Sequence, residues 1–171
     1  QSLETANSFS TNTALVAAAS GQIHIAYFDV DTRSLRYLTK PSLNWSAVSI
    51  DFSEEGMSPG STSDFDPVGV FSSIARDTLG KLHISYIKSN YDTLRSTGDG
   101  WGILMYASNS SGGWVDRALT PAPGIDASLA QQTAITTDAN NKAHIAFFSN
   151  VGINYATNRS GAWALTNIES A

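Results

Sequence analysis

The chain of 171 residues is built from three copies of one sequence pattern. Its three histidines, His24, His83 and His144, are 59 and 61 residues apart and occupy the same place in GQIHIAYFD, GKLHISYIK and NKAHIAFFS. Each copy continues with a tyrosine and, eight residues later, a tryptophan; these pairs are Tyr37 and Trp45, Tyr106 and Trp114, and Tyr155 and Trp163. A pattern repeated at this period predicts three similar structural units in tandem.

Each unit is predicted to contain four short antiparallel strands. The first is ALVAA, SSIAR or TAITT, the second surrounds the histidine, the third is centred on the tyrosine, and the fourth starts near the tryptophan. β-Branched and aromatic residues favour strands at these places, and no segment shows helical periodicity. Between the first two strands we predict two-residue hairpin turns with positive φ, at Ser20-Gly21, Leu79-Gly80 and Asn140-Asn141.

The second strand has apolar residues on both faces. Ile23, Ile25 and Tyr27 point one way, whereas His24, Ala26 and Phe28 point the other. A sheet covered on both sides produces this pattern. Four-stranded units of this kind in tandem predict an all-β fold made of β-propeller blades. We expect one domain over residues 1–171, with blades at approximately 8–51, 67–120 and 128–169.

The repeated motifs carry a family resemblance. The series H-I-[AS]-[YF], then L-x-Y-A or a close variant, then W, resembles the repeats of bacterial β-propellers. The turns NSSGGW (109–114) and NRSGAW (158–163) are similar to a degenerate sialidase-type Asp-box that lacks the Asp and has a different Gly–Trp spacing. The resemblance covers nearly the whole chain. It implies a scaffold shared by lectins, hydrolases, lyases and assembly modules, so it implies no single activity.

Three blades make only part of a ring, because propellers have four to eight. An arc of three would expose two apolar blade faces, and surfaces of that kind mark interactions. We therefore predict a two-fold homodimer with six blades. The alternatives are further blades from another chain and a chain that is part of a longer propeller.

Composition excludes several partners. The net charge is −5, and the lysines and arginines are scattered, so nucleic acid is not an expected partner. No apolar run is long enough to predict a membrane span. The chain has no cysteine, which excludes disulfides and thiolate metal sites. Its low lysine content and many Ser, Thr, Asn and Gly residues resemble secreted bacterial β-proteins, so we expect an extracellular location.

The repeated aromatic residues are predicted to be scaffold. Histidines at one place in successive blades are too far apart to share a metal ion. We therefore expect each imidazole to bond a backbone or hydroxyl group, and we assign no catalytic residue. Each tryptophan is expected to pack its outer strand against a neighbour; the alternative is that it stacks on a sugar.

Function is predicted where the copies differ, in segments 51–67 and 88–102. In a four-strand meander, the loops between second and third strands and the connections between blades emerge at the same end. Both segments therefore reach one face, where irregular loops on a rigid scaffold can form a polar-ligand site. The predicted ligand-binding residues are Tyr91, Asp92, Arg95, Asp99, Trp101, Glu54, Glu55 and Asp64.

These features predict a non-enzymatic binding or assembly propeller with lectin-like recognition of a carbohydrate or another polar ligand. One alternative is a glycosidase or lyase that uses loop carboxylates, for which a defined carboxylate separation would be needed. Another is a structural fragment of a larger propeller. No cofactor is expected; the weak alternative is Ca²⁺ at Asp29–Asp31 or among the acidic loop residues, where no EF-hand spacing occurs.

Overall fold

The computed structural model describes residues 12–41, 43–52, 68–90, 101–120 and 130–169. These residues form twelve strands in three four-stranded antiparallel sheets, which confirms the predicted all-β class with three four-stranded units. We call the sheets blades 1 to 3. No helix long and apolar enough to cross a membrane occurs in the described residues.

The strands of each blade follow one another in chain order across its sheet. Blade 1 contains β1 (Thr13–Ala17), β2 (Ile23–Asp29), β3 (Ser34–Thr39) and β4 (Ser46–Phe52). Blade 2 contains β5 (Val68–Arg76), β6 (Leu82–Asn90), β7 (Trp101–Ser108) and β8 (Val115–Ala118). Blade 3 contains β9 (Gln131–Thr137), β10 (Ala143–Ser149), β11 (Gly152–Thr157) and β12 (Ala164–Glu169).

The three blades share one register. The residue after each histidine pairs with the first strand of its blade, at Leu15↔Ile25, Ile74↔Ile84 and Ile135↔Ile145. On the other side of the second strand, each tyrosine of the third strand pairs with the residue two places after the histidine. Residues in these equivalent positions can therefore be compared directly between blades.

The turns between first and second strands differ from the prediction. In blade 1 the Gly21 N–H donates to the Ala18 carbonyl and the Ala18 N–H donates to the Gln22 carbonyl, and both bonds recur in the other two blades. The loop is therefore longer than the predicted two-residue hairpin. Positive φ occurs at its last position, in Gly21, Gly80 and Asn141. A tight turn followed by one left-handed residue is the usual three-residue solution.

Each blade also has an irregular residue with positive φ just before or within its first strand. The residues are Asn12, Phe71 and Gln132, which are equivalent in the repeat. The pairing of β5 with β6 and of β9 with β10 shifts register at this place. Positive φ is uncommon for residues with a side chain, so its recurrence marks a β-bulge built into the repeat.

The apolar core lies between the blades. One cluster joins blades 1 and 2 through residues such as Leu35, Ile84 and Tyr86. A second joins blades 2 and 3 through residues such as Leu104 and Phe147. Blade 2 is thus covered on both faces, which explains why its second strand is apolar on both sides.

Candidate functional site

Most of the predicted ligand-binding residues lie outside the described part of the chain. These are Glu54, Glu55, Asp64, Tyr91, Asp92, Arg95 and Asp99. The backbone of Trp101 is described: it begins β7 and pairs with Asn90 at the end of β6. The ends of β4 and β6 and the start of β7, which flank the two unrepeated segments, lie at one end of blades 1 and 2. The ligand site itself stays a prediction.

A polar cluster lies where these two unrepeated segments leave the blades. The Tyr86 hydroxyl of β6 donates to Asp51 Oδ2 of β4 over 2.6 Å. Lys88, two residues further along β6, places its Nζ 3.4 Å from Asp51 Oδ1. Asp51 and Tyr86 are buried, whereas the Lys88 side chain is partly exposed. We call Asp51, Tyr86 and Lys88 the loop-base cluster.

The loop-base cluster is a fixed, charged platform rather than a source of reactive groups. Burial and the neighbouring Asp51 carboxylate raise the pKa of the Tyr86 phenol far above its usual range, so it stays a neutral donor. Both carboxylate oxygens of Asp51 already have donors. Within the cluster, the partly exposed ammonium of Lys88 is therefore the group that can contact a ligand.

A second ion pair lies at the same end of blade 1. Arg36 Nη1 donates to Asp29 Oδ2 over 2.9 Å, and Asp29 Oδ1 accepts the backbone N–H groups of Asp31 and Thr32. Burial opposes ionisation of Asp29, but these hydrogen bonds outweigh it and hold the carboxyl pKa below its usual range. The Asp29 carboxylate thus closes a turn, and no three acidic or histidine side chains among the described residues converge as a metal site.

His83 and His144 each lie between two polar partners at the opposite end of the blades. The buried His83 bonds Tyr106 Oη through Nδ1 over 2.6 Å and Asp77 Oδ2 through Nε2 over 3.2 Å. In a neutral imidazole whose Nε2–H donates to the carboxylate, Nδ1 is the acceptor of the tyrosine hydroxyl. In blade 3, His144 Nδ1 bonds Tyr155 and Nε2 lies 3.4 Å from Asp138 Oδ2.

Blade 1 has only half of this arrangement. His24 Nδ1 contacts Tyr37 Oη at 2.6 Å, but Ala18 stands at the position of Asp77 and Asp138. Burial, followed by the positive charge of Arg76, lowers the pKa of His24. The hydroxyl partner expected for each imidazole is thus present in all three blades. The acidic partner was missed, although Asp77 and Asp138 both stand six residues before a histidine.

Two of the tryptophans pack against the preceding blade. Trp114 of blade 2 lies against the ring of Tyr37 in blade 1, with centroids 5.2 Å apart. Trp163 of blade 3 lies against Tyr106 in blade 2 at 4.8 Å. These contacts agree with the predicted packing role for Trp114 and Trp163. In blade 1, Trp45 has the Lys40 ammonium over its ring at 5.9 Å.

The chain matches no protein-family model and no curated protein sequence. It is similar in structure to a fucose lectin from Kordia zhangzhouensis solved with methyl-fucoside, with a TM-score of 0.54 and 15% identity, covering 94% of this chain and all of the lectin chain. An ulvan lyase matches with a TM-score of 0.60 and 13% identity over 92% of this chain. A Penicillium chrysogenum α-L-arabinanase in complex with arabinobiose matches at 0.55 and 15% over 88%.

This chain has a propeller-like fold. It spans the whole of the lectin chain but only 43% of the lyase and arabinanase chains. At these identities the likeness concerns the fold alone. The functional residues must therefore come from the chain's own geometry, and the loop-base cluster is the described polar group nearest to both unrepeated segments.

Proposed function

We propose that this protein is a non-enzymatic carbohydrate-binding propeller, with its ligand site above the loop-base cluster. The observation that carries the proposal is the bridge from Asp51 in blade 1 to Tyr86 and Lys88 in blade 2. It fixes the starting points of segments 53–67 and 91–100 relative to each other. A rigid base below irregular polar loops is how ligand sites are commonly built on repeat scaffolds.

The chemistry of this end suits a hydroxylated ligand. Lys88 supplies a partly exposed hydrogen-bond donor. The proposed ligand-binding residues Asp92, Asp99 and Glu54 supply carboxylate acceptors. Trp101 supplies an aromatic surface on which the CH-rich face of a sugar can stack. The structural neighbours include proteins solved with methyl-fucoside and with arabinobiose, which supports a sugar as the first ligand class to test.

Binding is favoured over catalysis because the two buried carboxylates at this end, Asp29 and Asp51, are both engaged in hydrogen bonds. Asp51 is buried and has both oxygens occupied, so it cannot reach a substrate as an acid or base. A glycosidase or lyase would need its carboxylates from Glu54, Glu55, Asp64, Asp92 or Asp99. An extracellular bacterial location, which the composition favours, is compatible with either activity.

A glycan array followed by calorimetry tests the proposal. We expect saturable binding of at least one glycan, and Trp101→Ala and Lys88→Met should each weaken it by roughly 10-fold or more, the loss expected from removing one good contact. Lys142→Met is the matched control, since Lys142 lies in the turn between β9 and β10 at the opposite end and should leave affinity unchanged.

Three results would contradict the proposal. The first is the absence of binding to any glycan by a folded wild-type protein. The second is turnover of polysaccharides that is lost in Asp92→Ala, Asp99→Ala or Glu54→Ala, which would identify an enzyme instead. The third concerns the place of the site. Equal losses of affinity in Lys88→Met and Lys142→Met would place the ligand elsewhere.

A further inference from the structure

We propose that two copies of this chain join head to tail, so that blade 3 of each copy packs against blade 1 of the other. The inference does not depend on the ligand. It rests on two sheet faces that repeat the surfaces buried between blades 1, 2 and 3. We call them the tyrosine face of blade 3 and the tryptophan face of blade 1.

The tyrosine face contains Ala146, Phe148, Ile153 and Tyr155, on adjacent strands β10 and β11. The equivalent residues of blades 1 and 2 are covered by the next blade. Phe148 is 49% exposed, whereas its equivalents Phe28 and Ile87 are 3% and 2% exposed. Ile153 is 42% exposed, and its equivalents Leu35 and Leu104 are completely buried. Blade 3 therefore has an interblade surface that no other described residue covers.

The tryptophan face contains Thr13, Leu15, Ile25 and Trp45 of blade 1. Leu15 is 61% exposed, while Ile74 and Ile135, which hold its place in blades 2 and 3, are 8% and 9% exposed. Ile25 is partly exposed, whereas Ile84 and Ile145 are completely buried. Leu15 and Ile25 of this repeated interface are therefore left open by the described residues, although Tyr27 on the same face is buried.

The two open faces complement each other. Within the chain, Trp114 packs on Tyr37 and Trp163 packs on Tyr106, each tryptophan on the tyrosine of the preceding blade. Among the described residues, Tyr155 has no such tryptophan and Trp45 has no such tyrosine. A second copy supplies both, because its Trp45 can pack on Tyr155 while its Tyr155 receives Trp45 of the first copy.

One polar contact between blades 2 and 3, the bond from Thr133 to a backbone carbonyl, has an equivalent at the proposed interface. Between blades 2 and 3, Ser85 Oγ lies 2.8 Å from Thr133 Oγ1, and Thr133 also donates to the Phe71 carbonyl. At the proposed interface the equivalent residues are Ala146 of one copy and Thr13 of the other. The Thr13 hydroxyl of one copy can then donate to the backbone carbonyl of Gln132 in the other copy, because Gln132 is the equivalent of Phe71. Two head-to-tail contacts of this kind close a ring, as heterologous contacts can when the rotation fits.

The first test is the mass of the wild-type protein by analytical ultracentrifugation at micromolar concentration, where we expect a dimer. Leu15→Asp and Phe148→Asp place a charge on one face each and should each shift the population to monomer, with dissociation constants raised at least about 10-fold. Leu79→Asp is the matched control: Leu79 is even more exposed than Leu15 but lies in a turn, so the dimer should persist. A wild-type monomer overturns the proposal.

The second test distinguishes head-to-tail contact from contact between two like faces. The chain has no cysteine, so Ala146→Cys and Thr13→Cys each introduce its single thiol. A mixture of the two variants should give a disulfide-linked dimer under mild oxidation, while neither variant alone should do so. Ser85→Cys with Thr133→Cys is the control for geometry, since that pair should cross-link within one chain. Cross-linking of either single variant with itself, or none in the mixture when the control pair reacts, overturns the proposal.

Discussion

Trp114 of the second blade packs against Tyr37 of the first, with ring planes inclined by 58° and centroids 5.2 Å apart. The Tyr37 hydroxyl in turn contacts His24. This places the repeated His, Tyr and Trp in one interblade contact, so that the third member of each set belongs to the following blade. The most recognisable part of the sequence repeat is therefore the joint between blades.

Because of this interblade contact, equivalent tryptophans should contribute different amounts to the free energy of unfolding. Trp114→Ala should lower the free energy of unfolding by about 3 kcal/mol, near the lower end for an aromatic truncation, because Trp114 is only partly buried. Trp45→Ala should cost a monomer less than about 1 kcal/mol, because no described residue gives Trp45 the tyrosine contact that Trp114 and Trp163 make with the preceding blade. Urea unfolding at submicromolar concentration checks both values. Equal costs would contradict the assignment of Trp114 to an interblade joint.

The repeat predicted much of this architecture but not the contacts across it. Strands, their number per unit and the scaffold position of each histidine follow from local pattern. The partner of each tryptophan does not, because Tyr37 and Trp114 are 77 positions apart and only blade stacking brings them together. The β-bulge at Phe71 could not be predicted from the sequence either. Its positive φ occurs where the pairing of β5 with β6 shifts register, and no glycine marks the position.

The candidate ligand site remains a prediction from the places where the three copies differ in length. The structure adds the loop-base cluster beside those places. Asp51 and Lys88 lie within the two segments that the sequence singled out, but their bridge through Tyr86 joins strands of different blades. Side-chain pairing at that distance along the chain has no local sequence signature.

The loop-base cluster should stabilise the folded protein as well as fix blade 1 relative to blade 2. Tyr86→Phe leaves Asp51 Oδ2 without its 2.6 Å donor in a buried setting. We expect a loss of about 1–3 kcal/mol, the range for a buried polar group deprived of its partner. Thermal unfolding of Tyr86→Phe measures it, with Tyr91→Phe, just beyond the end of β6, as a control. A cost near zero would show that the bridge does not hold blades 1 and 2 together.

Stability should depend on pH through His24. Because burial and Arg76 lower its folded pKa below the ordinary 6.5, the unfolded chain binds the proton more readily. The contribution of His24 is complete above pH 6.5 and is lost as the pH falls through the lower folded pKa, with a slope of at most about 1.4 kcal/mol per pH unit. Denaturation curves between pH 7 and 5 measure that slope.

Two variants isolate this effect. His24→Gln should flatten the wild-type slope across the same interval, since it removes the titrating group. Arg76→Gln should raise the pKa of His24 towards its ordinary value and narrow the interval over which stability changes. If His24→Gln keeps the full wild-type slope, another group is responsible.

Gly69 should tolerate no side chain. It lies in β5 with φ of +108°, and a Cβ there would be 2.7 Å from Leu35 Cα in β3 of the neighbouring blade. Gly69→Ala therefore strains the backbone and separates blades 1 and 2, at a cost of about 2–4 kcal/mol. Gly112→Ala is the matched control, because its φ of +105° is similar but its surroundings are open. Chemical denaturation should show the smaller loss for Gly112→Ala.

The missing carboxylate of blade 1 can be restored. In blade 2, Asp77 accepts the backbone N–H groups of Leu79 and Lys81 and also bonds His83. Ala18 holds the same position, so Ala18→Asp should supply acceptors for the turn and for His24, with a gain of about 1 kcal/mol at neutral pH. It should also raise the pKa of His24, because a carboxylate favours the imidazolium.

Histidine titration by NMR and thermal unfolding measure the two effects. Asp77→Ala is the reciprocal control and should destabilise blade 2; a destabilised Ala18→Asp would show that the first turn cannot adopt the arrangement of its copies.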